Sequence, residues 1–133
     1  SDAAMGLSQI RKYHRWLARR REIARYYRER MPEGVRTQAA HPHHAYHLFL
    51  LWLDPSRWDR EAVQAKLHER GAGTQIHYTP IYRWDDVKEF KRNPRHFPLA
   101  ERFWRSCVSI PMFHGLTDGE VEHVITSVRE VLA

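Results

Sequence analysis

Residues 71–82 read GAGTQIHYTPIY. The twelve residues join two kinds of chain. Before them, Ser56–Arg70 carries a helical pattern. Gly71 closes it, because glycine reaches the left-handed backbone on which helices end. After Gly73, Thr74–Tyr78 is rich in β-formers and predicts a strand. Pro80 offers no N–H to a ladder, so Thr79–Trp84 reads as a loop. A His-Tyr pair therefore sits where a strand runs into a loop, a common place for ligand contacts. His77 can exchange a proton near neutral pH, and Tyr78 can hydrogen-bond a hydroxyl-rich ligand. On spacing alone, a half-buried strand end without a ligand fits better.

Upstream lies HPHHAYH, residues 41–47, with four histidines in seven positions. Imidazoles suit zinc or nickel, but a closed zinc site needs four converging ligands. The lone cysteine, Cys107, is remote. Strand alternation would send His43 and His47 to one face and His44 to the other. The run leads into Leu48-Phe49-Leu50-Leu51-Trp52-Leu53, so it reads as a polar approach to a buried strand, Tyr46–Leu53. No metal site is predicted.

Further outward, residues 3–31 predict one long helix. Ala3, Leu7, Ile10, Leu17, Ala24, Tyr27 and Met31 share a stripe, Ser1 or Asp2 can cap its start, and Pro32 and Gly34 end it. A helix beginning at the second residue reads as a chain cut at a helix start. Val35–Thr37 and Cys107–Ile110 predict short strands, the second stopped by Pro111. Asp85–Phe90 predicts a helical turn and Asn93–Phe97 irregular chain. Pro98 opens a helix to about Arg105. Thr117 and Glu120 make a capping box for a last helix with the stripe Val121, Val124, Ile125, Val128, Val131 and Leu132. The fold class is α+β: a long N-terminal helix, then a small antiparallel or mixed sheet of three to four strands with helices on one side.

The 133 residues suffice for one domain with a modest core. One cysteine permits no internal disulfide, and no apolar run is long enough for a bilayer, so a cytoplasmic setting is the expectation. The net charge is +6, and its whole excess sits in residues 11–30, which hold nine Lys or Arg against Glu22 and Glu29. Arg11, Arg15 and Arg19 run down one side of that helix, and Arg21, Arg25 and Arg28 down another. Such a helix could track phosphates. But the basic groups surround the helix and no base-stacking aromatic platform accompanies them, so a solvated or domain-facing helix is favoured over nucleic-acid binding. Gly71-Ala72-Gly73-Thr74 lacks the Lys-Ser/Thr pair of a phosphate loop and lies in the wrong order, between helix and strand. No serine sits in a nucleophile elbow. Asp85-Asp86 reads as solvated, and Cys107 as an inert core thiol.

Six pieces in order resemble the C-terminal small domain of the DegT/DnrJ/EryC1/StrS family of PLP-dependent sugar aminotransferases. Ala3-Ala4-Met5-Gly6-Leu7-Ser8-Gln9-Ile10 is similar to its A-A-x-G-L-x-Q-L helix start, and Arg19–Tyr27 to R-R-R-x-I-A-x-x-Y. His44-Ala45-Tyr46-His47-Leu48-Phe49 resembles H-x-Y-H-L-F. Gly71–Pro80 resembles G-I-G-T-x-x-H-Y-x-P. Phe97–Glu101 and Ser109–Asp118 resemble F-P-x-A-E and S-L-P-x-F-P-G-L-T-D. The resemblance implies the small domain of a fold-type I aminotransferase, spanning residues 1–133. Residues 1–31 would be the helix linking it to a large domain that binds pyridoxal 5'-phosphate.

It further implies transfer of an amino group from an amino acid, glutamate by expectation, to a nucleotide-linked keto-sugar, in a homodimer. His77, Tyr78 and Tyr82 are the residues expected near substrate or cofactor, and no catalytic residue is expected in the chain. Two departures stand out. The family commonly has His where Tyr82 stands. Its Schiff-base motif is matched by none of Lys12, Lys66, Lys88 and Lys91, so the chain alone is expected to be inactive. The alternatives are a stand-alone, non-catalytic domain that assembles with a separate PLP-binding subunit, and the basic-helix nucleic-acid binder.

Overall fold

The computed structural model describes residues 2–86, 89 and 92–133. Helix α1 spans Asp2–Arg30. Ser1, one of its two candidate caps, lies outside the described residues. Three strands follow as one antiparallel sheet: β1 (Arg36–Thr37), β2 (Phe49–Trp52) and β3 (Cys107–Ile110), in the order β1-β2-β3. Phe49 pairs with Ile110 and Trp52 with Cys107, while Arg36 pairs with Trp52. Helix α2 is Arg60–Glu69, α3 is Pro98–Ser106, and α4 is Asp118–Leu132. This is the α+β arrangement that the sequence pattern predicts.

Strand alternation buries Phe49 and Leu51 of β2 on one face. They meet Ile23, Ala24 and Tyr27 of α1, Val63 and Leu67 of α2, and Val121, Val124, Ile125, Val128 and Leu132 of α4 in one core. Tyr27 sets its ring edge-on to Phe49 at 5.1 Å and donates its hydroxyl to Pro111 O at 2.9 Å. A buried phenol with its polar tip satisfied is a stable core member. Trp52, on the other face, meets Phe103 of α3 edge-on at 5.9 Å.

Helix ends follow local chemistry. Asp59 Oδ1 accepts from Ala62 N at 2.8 Å and starts α2, four residues later than the pattern from Ser56 predicts. Asp54 explains the delay: its side chain accepts from Ser56 N at 2.9 Å and holds the intervening chain in a turn. Gly71, at φ +76°, ends α2 with Gly71 N–H on His68 O and Ala72 N–H on Leu67 O, both 2.9 Å. At α4 the capping box forms, with Thr117 N–H on Glu120 Oε2 at 2.8 Å and Glu120 N–H on Thr117 Oγ1 at 3.2 Å.

Two strand predictions fail in part. Tyr46–Leu53 shortens to Phe49–Trp52 because Tyr46 takes φ +46° and breaks the extended run. Arg28 and Arg20 hold it there: Arg28 Nη2 donates to the Tyr46 hydroxyl and Arg20 Nη1 to its carbonyl, each at 2.8 Å. Thr74–Tyr78 is no strand; only Gln75 pairs, with Ser109 on the free edge of β3. Thr74 N–H points away from β3 and goes to His68 Nε2 at 3.0 Å, so the pairing stops at one bridge. Ile81–Arg83 and Pro94–His96 form single 3₁₀ turns. The turn predicted over Asp85–Phe90 falls partly on Val87, Lys88 and Phe90, outside the described residues.

Candidate functional site

The free edge of β3 positions the His-Tyr pair. Gln75 and Ser109 exchange backbone hydrogen bonds of 3.1 and 2.9 Å. Two residues on, His77 Nδ1 lies 2.9 Å from Ser109 Oγ, which also lies 3.0 Å from Gln75 O. A hydroxyl has one proton. When it goes to Gln75 O, Nδ1 carries the ring N–H and Nε2 of the neutral imidazole is left as an acceptor. His77 is half-buried and lines an open groove of about 570 Å³, together with Arg20, His47 and His68. Tyr78 follows through a cis peptide bond. Its ring is 70% exposed and edge-on to His77 at 4.8 Å.

Tyr82 sits elsewhere. Its hydroxyl donates to Glu101 Oε1 at 3.0 Å and its ring stacks on Phe97 at 4.6 Å. Glu101 is nearly buried at the start of α3 and gathers more than Tyr82. Arg83 grips both of its oxygens, with Nε on Oε1 at 2.7 Å and Nη2 on Oε2, and Arg105 stands 3.3 Å away. The Arg83 hydrogen bonds are the main reason that its carboxyl is pulled down to about 2; Tyr82 and the charge of Arg105 add to the shift. The Tyr82 phenol is pushed up, first by burial and then by the Glu101 bond. So His77 lines a groove with the exposed Tyr78 edge-on beside it, and Tyr82 serves a buried carboxylate. Glu101 is the residue that sequence reasoning passes over. Arg105 is at the helical i,i+4 spacing, but Arg83 and Tyr82, which hold it most closely, lie 18 and 19 positions away, and no local spacing joins them.

The histidine run forms no metal cluster. Its residues are loop, with His44 Nδ1 accepting from Tyr46 N at 2.8 Å and His41 Nδ1 from His43 N at 3.2 Å. Among the described residues no group of three or more His, Cys, Asp or Glu could hold a metal ion. Cys107 is buried, and burial pushes its thiol up to about 11, away from reactivity. No helix of the described residues is long and apolar enough to cross a membrane.

The arginines of α1 largely serve the fold. Arg19 binds Glu22, Asp118 and Leu116 O, at 2.7–2.8 Å. Arg20, Arg21 and Arg28 reach Tyr46 O, His44 O and the Tyr46 hydroxyl. Towards its N-terminus the helix carries Met5, Leu7, Ile10 and Tyr13 exposed; of the predicted stripe only Ala24 and Tyr27 are buried, joined by Ile23, which the stripe leaves out.

Pyridoxal phosphate needs a lysine for its Schiff base and an acid at its ring nitrogen. The described lysines, Lys12 and Lys66, are exposed on helix surfaces and line no groove. The described residues do not by themselves fit that cofactor.

Three comparisons agree on what the chain is similar to. SpsC, a spore coat polysaccharide biosynthesis protein of Bacillus subtilis, is 29% identical over 98% of this chain and 36% of its own length. The crystal structure of the aminotransferase TlmJ from Streptoalloteichus hindustanus matches at TM-score 0.85 and 30% identity, over 98% of this chain and 35% of that one. PseC of Helicobacter pylori, an aminotransferase of pseudoaminic acid biosynthesis, matches at 0.84 and 26%, over 97% and 36%. The chain thus spans about a third of the length of these relatives. Residues 1–129 match the DegT/DnrJ/EryC1/StrS aminotransferase family, and the chain belongs to it.

Proposed function

We propose that these residues are the C-terminal small domain of a PLP-dependent aminotransferase. The whole enzyme moves an amino group from an amino acid, glutamate in our reading, onto a nucleotide-linked keto-sugar in the cytoplasm. A large domain or separate subunit holds the cofactor, whose ring acts as the electron sink, and the assembly is a homodimer. Residues 1–31 link the two parts. The isolated chain is inactive.

The observation that carries this reading is the family match over residues 1–129 in a chain about a third as long as its relatives. The geometry supports it. Tyr78, Ile81 and Trp84 stand exposed on one short segment next to His77, as a surface meant to close against something would. His77 and Tyr78 are the residues assigned to reach substrate or cofactor. Tyr82 is assigned third.

The nucleic-acid reading loses support, because Arg19, Arg20, Arg21 and Arg28 spend their donors on the protein. The stand-alone domain with a separate partner shares the exposed apolar surface and differs in polypeptide size.

The test is to purify, from source cells, the polypeptide that carries these residues, and to assay it with pyridoxal phosphate, glutamate and nucleotide-linked keto-sugars. Amino-sugar formation by that species, and none by the 133-residue chain, is the expected result. Transamination by the 133-residue chain alone, or none by the source polypeptide with any keto-sugar, overturns the proposal.

A further inference from the structure

A second groove, of about 690 Å³, lies between the start of α2 and the end of α3, lined by none of the residues around His77. Its walls carry Arg57, Arg60, Arg83 and Arg105 with Trp58 and Trp104. The guanidinium groups lie over the indoles: Arg57 over Trp58 at 4.1 Å, and Arg60 and Arg83 over Trp104 at 5.4 and 4.6 Å. Such stacking fixes the plane of a guanidinium and leaves its edge donors free to bind.

The local carboxylates do not use up these donors. Asp59 caps α2 through Ala62 N. Glu101 is taken by Arg83, with Arg105 3.3 Å away. Glu61 reaches Arg60 at only 3.4 Å from a largely exposed position. Three donor groups are left over. Among the described residues, the Arg57 guanidinium has no hydrogen bond or ion pair. Arg60, only 8% exposed, has its Nε buried without a partner, and so has Trp104 Nε1. Buried N–H groups are almost always paired, and leaving them open costs free energy. Neither is reached by bulk water, so solvent does not satisfy them.

The geometry points to a tetrahedral oxyanion as the missing acceptor: this groove binds the phosphate group of a small ligand. Arg57 meets it first at the rim, its charge near the exposed Asp54 carboxylate but its donors unbonded. As the Arg60–Trp104–Arg83 stack parts, Arg60 Nε and Trp104 Nε1 donate to its oxygens. Arg60 Nη1 already donates to Trp104 O at 2.6 Å, so its Nε beside the weakly held Nη2 forms the fork on a phosphate oxygen pair. A ring attached to the phosphate would stack on the outer face of the Arg57 guanidinium, which lies flat over Trp58.

The test follows the Trp104 indole N–H by NMR on the 133-residue chain, its resonance assigned with Trp104→Phe. Inorganic phosphate is titrated at constant ionic strength, with chloride as the control. The expected result is a saturating shift of that resonance, absent with chloride and weakened about tenfold or more in Arg57→Glu, whose exposed side chain leaves folding intact. Arg60→Lys keeps the charge and removes the fork, and should also weaken binding; if it fails to fold, Arg105→Glu takes its place. Tighter binding of phenyl phosphate assigns a ring-bearing ester, and equal binding assigns the ion; both support the site. A shift that never saturates, or that Arg57→Glu leaves unchanged, means an adventitious ion only and overturns the inference.

Discussion

The two ends of α1 share one helix and meet opposite surroundings. Its second half turns Ile23, Ala24 and Tyr27 fully into the core, and its arginines tie down Tyr46, His44 and Leu116. Its first half shows Met5, Leu7, Ile10 and Tyr13 to solvent, with Ile10 67% exposed. The apolar stripe runs through both. A stripe records what a helix face is made to bury, and where along its length it does so depends on what stands opposite. On the inner half that is the sheet and α4. On the outer half Met5, Leu7 and Ile10 stay exposed, as the proposed link to a large domain requires.

The sharpest way to break this contrast is at Tyr27. Truncation to Ala empties a fully buried ring site beside Phe49 and drops the bond to Pro111 O. The expected loss is about 3–5 kcal/mol of unfolding free energy, read from urea denaturation. A loss under about 1 kcal/mol would mean that the inner half is not the anchor. Next comes Arg19→Ala, which removes the bonds from α1 to Leu116 O and Asp118 at the entry of α4. Its side chain is partly exposed, so the expected loss is smaller, about 1–2 kcal/mol. No change at all would say that the two helices are held by packing alone.

The same division between held and open chain recurs at the 78–84 segment, where Glu101 is the hold. Its carboxyl, ordinarily near 4.5, lies at about 2 in the fold, chiefly because of Arg83. A depressed folded value stabilises above the ordinary one, and the contribution fades as pH falls from 4.5 through 2. Hydrogen exchange at the Arg83 and Trp84 amides, which close the 3₁₀ turn on Pro80 O and Ile81 O, reads this directly. Glu101→Gln is expected to speed their exchange severalfold at neutral pH, while global stability moves less than in either α1 variant. The wild type should approach the variant only near pH 2. Equal exchange in both proteins at neutral pH removes the hold from the argument.

Elements framed by local chemistry were legible in the sequence. Thr117 with Glu120 marks the start of α4, Gly71 the end of α2, and Pro111 the end of β3, because each device acts within a few residues. What failed was decided at long range. Tyr46 is left-handed because Arg28 and Arg20, on another element, hold it so. Thr74–Tyr78 looks like a strand by composition, yet β3 offers a pairing partner only at Gln75. At the site, the His77–Tyr78 pair could be picked out because chemistry and loop position coincide in one short stretch. The Glu101 cluster could not, since Tyr82, Arg83 and Glu101 meet only once α3 has folded back.

The smallest effect belongs to the outer half, and it carries the most weight for function. Ile10→Ala shortens a side chain already in water, so the unfolding free energy of the 133-residue chain should change by less than about 0.5 kcal/mol. If the proposed large domain covers this face, the same change in the source polypeptide should weaken assembly, because a buried Ile trimmed to Ala loses about 2–5 kcal/mol of packing. The pair of measurements is thermal unfolding of the short chain and of the source polypeptide, each with and without the substitution. A short chain that loses as much as Tyr27→Ala would mean that Ile10 is packed within these residues. A source polypeptide as indifferent as the short chain would leave the outer half of α1 without an apolar partner, and would take the linking role away from it.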